Sequence, residues 1–280
     1  MRQVRIPELI LRTREQLKHI PYPSSHPEAV IWRDNDGRLC AYGYSLDGEH
    51  WLHFPNLASF RFYRLNDPVT AFVAPMAPTV LIHDAYFRNV LPMVLQTEGI
   101  EVLHASAVRY AGGVVALCAK SGTGKSTLAY GLQQRRWPVW ADDAVAFETD
   151  GRVVNTISLP FEIRLHPQVR NFFGLPHSAR QSNADVNREN NNFSTQPRKA
   201  APLVAVMKLE RVTESENQQK VEVLRLSPSK AFPLLLAQSY CFSLNNLPKK
   251  RRMLVNYSRL AATTPVFKVR FRPGLENLPL

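Results

Sequence analysis

The chain has 280 residues, 45% of them hydrophobic and 21% charged, and its 35 Lys and Arg against 23 Asp and Glu give a formal net charge of +12. That length and apolar content suit one large globular domain or two unequal ones, and they exclude a chain too polar to bury a core. No stretch approaches the roughly 18 apolar residues of a membrane helix, and the three widely spaced cysteines, Cys40, Cys118 and Cys241, provide neither a disulfide framework nor a zinc spacing.

In chain order, the first twenty residues read as an amphipathic helix, because Pro7, Glu8 and several arginines interrupt any secretory-type apolar centre. With core thiols and no signal, the expected location is the cytoplasm. From about residue 28 to 74, runs rich in Val, Ile, Trp, Tyr and Phe are separated by Asp36-Gly37 and Asp47-Gly48, which supply the positive φ of tight hairpins. They predict a small, mainly antiparallel sheet. From His83 the apolar spacing predicts a buried helix, with Asp84 as N-cap and Pro92 as a kink or break. The expected organisation is an N-terminal β-rich domain, 1–82, followed by a larger domain, 83–280.

Within the larger part, "VLHASAV" and "GVVALCA" predict a hairpin about "YAGG", and "STLAYGLQQRR" predicts a helix with Leu128 and Leu132 on one face. "WPVWADDAVAF" and "RVVNTISL" follow as strands about Asp150-Gly151. Residues 177–200 carry almost no large apolar side chains, so they cannot offset their ordering entropy and read as a mobile loop, either a functional flap or simple disorder. Strands resume at "PLVAVMKLE". The basic excess is concentrated late: residues 198–280 hold 15 Lys and Arg against 5 Asp and Glu. Its densest point, Pro248-Lys249-Lys250-Arg251-Arg252, is either a solvated face or a docking site for an anionic partner.

The chemistry concentrates at "AKSGTGKST", residues 119–127. It meets the phosphate-loop pattern G-x-x-x-x-G-K-[ST] except for Ala119 at the first position. Amides of Ser121, Gly122, Thr123, Gly124 and Thr127 are expected to bind phosphates, Lys125 to reach the β and γ oxygens, and Ser126 to ligate Mg²⁺. An apolar strand before the loop and an amphipathic helix after it supply the required setting. Asp142 and Asp143 follow at a strand end, expected beside the phosphate-loop strand; either they serve the nucleotide, one holding the metal and one accepting a proton, or they form a solvated turn. Hairpin pairing places His104 opposite about residue 118 or 119, at the mouth of the loop, as an active-site or a purely structural imidazole. The same hairpin gives the phosphate-loop strand an antiparallel neighbour, unlike most nucleotide-binding loops.

Together "LHASAVRYAGG", "AKSGTGKST", "WADDAVAF" and "PFEIRLHP" resemble the HPr serine kinase family, and more closely its divergent relatives, which include kinases of lasso precursor peptides. The resemblance covers roughly residues 85–175, with weaker similarity to the end. It implies an α/β fold, a phosphoenolpyruvate carboxykinase-like P-loop kinase core with a mixed sheet, acting with ATP and Mg²⁺. Carried over by position, Asp142 is the acid/base carboxylate, His104 the active-site histidine, and Asp143 the neighbour near the metal. Glu162 lies near the metal and Arg164 near the phosphates; read from the residues alone, those two sit on an exposed alternating strand. Thr127 and Leu165 stand where HPr kinases carry Glu and Gly, which argues against HPr itself as substrate and against the family's reverse dephosphorylation.

The expected activity is transfer of the γ-phosphoryl of ATP to a serine of a peptide or small protein, with no membrane partner. A homo-oligomer is expected from the family's habit alone. Three other readings remain: a small-molecule kinase, a nucleotide-switched nucleic-acid binder, and a nucleotide-binding scaffold without turnover. Nucleic acid is disfavoured because "PKKRR" lacks interleaved aromatics and a recognisable module, and the scaffold because mere binding needs no Asp pair.

Overall fold

Strands between residues 9 and 73 form one sheet, and of its two expected tight turns Asp47-Gly48 has positive φ at both residues, whereas at Asp36-Gly37 only the glycine does. The structure, a computed structural model, describes residues 4–17, 20, 23–34, 36–175, 181–182, 186–187, 192–193, 200–212, 221–240 and 246–277. It divides into two compact units, Met1–Ile100 with Val186–Arg198 and Tyr240–Met253, and Glu101–Asp185 with Lys199–Ser239 and Leu254–Leu280. The helical segment after residue 78 therefore clusters with the N-terminal sheet.

In the first unit, β1 (Leu9–Thr13), β2 (Val30–Arg33), β3 (Leu39–Leu46), β4 (Glu49–Phe54), β5 (Ala58–Phe62) and β6 (Val69–Val73) form a six-stranded sheet in the order β1-β6-β5-β4-β3-β2. All neighbours are antiparallel except β1 and β6. Asp47 and Gly48 close the β3–β4 hairpin with φ of 48° and 84°, as a turn of matching twist requires. Residues 9–13, expected in a helix, are instead a strand. A proline at position 7 disfavours helical geometry in the residue before it, and the edge of β6 supplies a ladder that begins where Val69 N–H donates to Glu8 O at 2.8 Å. Tyr44, Trp51 and Phe72 pack together on this sheet.

The helix begins earlier than predicted: α1 (Thr79–Ala85) runs through a π-helical turn, Tyr86–Val90, into α2 (Leu91–Thr97). Asp84 is thus inside α1, whose N-cap is Pro78, and it pairs with Arg88 at 2.9 Å. Pro92 lies near the start of α2; it has no N–H to return to the preceding turn, and the widened π turn absorbs the missing bond without ending the helix. Cys40, expected in the core, is exposed, whereas Cys118 is buried; Cys241 lies outside the described residues.

The second unit opens with β7 (Glu101–Leu103), β8 (Ala105–Tyr110), β9 (Gly113–Cys118), α3 (Lys125–Gln134), β10 (Val139–Ala141), β11 (Val145–Asp150) and β12 (Val153–Ile157). β13 (Glu162–Ile163), α4 (Pro167–Phe172) and β14 (Gln181–Ser182) follow. Two short paired strands, β15 (Val186–Asn187) and β16 (Asn192–Phe193), are counted with the first unit. Then come β17 (Ala200–Arg211), β18 (Val221–Arg225), α5 (Pro228–Leu236), α6 (Leu247–Thr263), which belongs to the first unit as far as Met253, and β19 (Val266–Phe271). The expected mobile loop, 177–200, lies mostly outside the described residues.

The resulting nine-stranded mixed sheet has the order β10-β8-β9-β17-β12-β11-β7, with β19 on β17 and β18 on β19. β17 joins its two parts: Ala200 to Pro202 pair antiparallel with β12, and later residues run parallel to β9 and β19. The fold is therefore α/β with mixed sheets. α3 packs on one face over Val108, Val115, Leu117 and Leu209, with Leu128 and Leu132 turned toward them as predicted. Among the described residues no helix is long and apolar enough to cross a membrane.

Candidate functional site

The β8–β9 hairpin sets the site. Its two-residue turn, Ala111 and Gly112 at φ of 47° and 81°, fixes a register running from Tyr110 opposite Gly113 to Ala105 opposite Cys118. Continued by one residue, that register puts His104 across from Ala119, the first residue of the phosphate loop. His104 is also where the chain changes partners, since β7 pairs with β11 while β8 pairs with β9 and β10. Its N–H donates to Gln238 O at 2.7 Å, and its Nε2 lies 3.2 Å from Lys125 Nζ. An ammonium only donates, so beside a charged Lys125 the Nε2 is the acceptor and the ring proton sits on Nδ1.

The loop from Ala119 to Gly124 leaves β9 and enters α3. Gly122 and Gly124 take φ of 77° and 104°, conformations that turn the backbone without a Cβ penalty. α3 begins at Lys125 with no side-chain cap on its first amides, which leaves them for an anion. Ala119, at the position where the phosphate-loop pattern has glycine, is buried in the cluster with Leu117, Ala129 and Leu209. Lys125 Nζ folds back to Ala119 O at 3.1 Å. From the end of β17, Arg211 Nε donates to Thr123 O at 3.0 Å and braces the loop.

Asp142 arrives by a different route from the one expected. Its strand, β10, pairs with β8, so β8 lies between it and the phosphate-loop strand. Because β10 and β9 are both antiparallel to β8, they point the same way, and the end of β10 still reaches the loop. Ser106 on the intervening β8 donates to Asp142 Oδ1 at 2.6 Å, and Ser126, in the first turn of α3, donates to the same oxygen at 2.8 Å. Asp142 is 7% exposed and Ser106 is fully buried. The two acids lie in a bend just past the strand end; Asp143 is half-buried and has φ of 64°.

The electrostatics follow from burial. Lys125 is pushed below the usual lysine pKa by desolvation, with Lys208 adding repulsion and Cys118 and Asp142 opposing the shift. Desolvation pushes the Cys118 thiol up to about 12, which removes it as a nucleophile near neutral pH. Glu162 lies half-buried on β13, opposite Ser182 of β14, and Arg164 is exposed just beyond it. Among the described residues no three His, Cys, Asp or Glu side chains group as a metal cage. Mg²⁺ does not require one, since it keeps several waters and takes one or two carboxylates together with substrate phosphates. The Ser126 hydroxyl, held by the buried Asp142 carboxylate, is one such oxygen donor.

Lys125, His104, Ser126 and Asp142 are thus joined by direct contacts around the start of α3. Ser106 and Arg211 belong to the same site and had not been singled out from sequence. Ser106 was within reach of the strand periodicity, lying two residues from His104 on β8's approach. Arg211 was not, because nothing local reveals that β17 runs beside β9.

No protein-family model matches the sequence, and no curated protein does. Among solved structures, the chain is similar to the HPr(Ser) kinase/phosphatase from Coxiella burnetii, with 15% identity over 57% of this chain and 96% of that one, at a TM-score of 0.28. A likeness this slight carries no argument about activity or substrate.

Proposed function

We propose that this chain is an ATP-dependent kinase, with a phosphoenolpyruvate carboxykinase-like core of the HPr kinase type, that phosphorylates a serine of a peptide or small protein. The observation that carries the reading is the convergence on one helix start of Lys125, Ser126, His104 and the buried Asp142. Binding alone would need the loop; a buried carboxylate held by two hydroxyls at the same point is what proton transfer adds.

In this mechanism the loop amides and Lys125 hold the triphosphate, and Ser126, with Asp143 and Glu162, would hold Mg²⁺, whose charge would offset that of the phosphate oxygens. The acceptor serine oxygen bonds to the γ-phosphorus, the bond to the β–γ bridging oxygen breaks, ADP departs, and Asp142 takes the hydroxyl proton. Ser106 and Ser126 both hold Asp142 Oδ1 in place, so little reorganisation accompanies that transfer. His104 orients Lys125, and Arg164 assists the phosphates.

The test mixes purified protein, Mg-ATP and a candidate precursor peptide encoded beside the gene, and looks for a gain of about 80 Da, one phosphoryl group. Phosphorylation of a metabolite with no peptide present would favour the small-molecule alternative. Absence of any nucleotide binding would end the proposal.

A further inference from the structure

We propose that Lys208, together with Lys120, forms an anion subsite beside the phosphate loop that receives the terminal phosphate of the bound triphosphate. The inference rests on the nucleotide reading above and adds to it a residue from a strand distant in sequence.

β17 runs parallel to β9 and places Lys208 directly across from Cys118, one residue before the loop begins. On the other side, Lys268 of β19 is in register with Lys208. Residues in register share a face, and so do residues two apart, so Cys118, Lys208, Lys268, Glu210 and Arg270 all stand on the face opposite α3. On that face Lys268 pairs with Glu210 at 2.8 Å and Arg270 with Glu222 at 3.0 Å. Among the described residues, no carboxylate lies within ion-pair distance of Lys208. Among the described residues it is the half-buried cation of the row without an ion-pair partner.

Its surroundings make that surplus costly. Burial is the main force pressing Lys208 below the ordinary lysine range; Lys120 and Lys268 add repulsion, and Cys118 and Glu210 act the other way. Lys208 in turn opposes the charge of Lys125. Lys120, Lys125 and Lys268 therefore each interact with Lys208 beside the carboxyl end of β9, the end at which open α/β sheets bind ligands. A multiply charged oxyanion relieves all of them at once. The terminal phosphate is the group so placed: β8 brings His104 to Lys125 on one side of the loop strand, and β17 brings Lys208 to the other.

ATP and ADP binding to the full-length protein are measured by calorimetry for wild type, Lys208→Gln, Lys208→Arg and Lys125→Met, with circular dichroism as a folding check. Lys208→Gln should weaken ATP by about tenfold, the loss of one charge-assisted bond, with ADP nearly unchanged and most of the ATP affinity kept in Lys208→Arg. Unchanged ATP affinity in Lys208→Gln, or an equal loss for ATP and ADP, would overturn the subsite. Should Lys208→Gln not fold, Lys120→Gln in the exposed loop makes the same test, and a loss not selective for ATP would count against it. If wild type fails to bind ATP, the nucleotide reading itself falls. If wild type binds, Lys125→Met does not, and Lys208→Gln behaves as wild type, only the subsite is lost.

Discussion

Ser106, on β8, and Asp142, in the bend just past β10, are bonded at 2.6 Å, although the phosphate loop and its helix intervene between them in sequence. With Ser126 as the second donor, the bond ties three elements, β8, β10 and α3, to one oxygen atom. The position of the carboxylate is therefore set by the sheet, and the chemistry proposed for it depends on that setting.

Asp142→Asn keeps the size of the side chain and removes the ability to hold a proton. Phosphoryl transfer should fall by about 10²- to 10⁴-fold, the range of a lost general base. ATP affinity, read by calorimetry, should stay near wild type. Near-full turnover would remove Asp142 as the base, whereas a parallel loss of Mg²⁺ dependence would assign it to the metal through Ser126.

Ser106→Ala deletes one of the two donors in a fully buried place. A hydrogen bond to a charged group contributes about 1.5–3 kcal/mol, and the urea midpoint should drop accordingly. A role in positioning shows separately: kcat should fall by roughly tenfold while KM for ATP holds, because only the transition state needs the carboxylate aimed. Equal kcat in mutant and wild type would leave the bond a structural one.

Much of this site was legible because it is local. A glycine loop between an apolar strand and a helix, and a two-residue turn at Ala111-Gly112, fix where Lys125, Ser126 and His104 meet, since hairpin register follows from turn length. What could not be read is strand order. β10 was expected beside β9, yet Trp137 and Pro138 lead the chain past it to the far edge of β8. The parallel pairing of β17 with β9, which delivers Arg211 and Lys208, leaves no signal in either strand. The misread segment 9–13 shows the same limit: its apolar spacing suits a helix, and a free edge on β6, distant in sequence, made it a strand.

Lys125→Met should leave the nucleotide-free protein as heat-stable as wild type or more so. Burial holds the Lys125 pKa below its unfolded value, so between the two values the unfolded chain binds the extra proton. Stability therefore rises with pH through that window, and below it the buried ammonium opposes folding. Methionine removes that penalty. It also removes the phosphate contact: ATP at about a hundred times its Kd should stabilise wild type by about 2.7 kcal/mol and the variant not at all. Thermal denaturation with and without ATP reads both effects, and an ATP-induced shift retained in Lys125→Met would contradict the role given to the lysine.

The N-terminal sheet should weaken in acid before its carboxylates titrate. His53 is stacked on Tyr42 and Trp51, with ring nitrogens bonded to Ser59 at 2.8 Å and Tyr44 at 3.2 Å. His50 is bonded to Ser45 at 2.7 Å. Burial, aided by Arg14 for His53 and by Lys249 for His50, lowers both to about 4 from the usual 6.5. Between those values the unfolded chain is protonated and the folded one is not, so stability is lost as pH falls from 6.5 toward 4 and the loss stops below it. The urea midpoint, followed by Trp51 fluorescence, should fall in that window with a slope approaching two protons. The double variant His50→Gln with His53→Gln should be nearly flat from pH 6.5 to 5, a range in which ordinary carboxylates remain mostly ionised. A wild-type midpoint that does not move across the same range would mean that these imidazoles take up protons while the sheet stays folded.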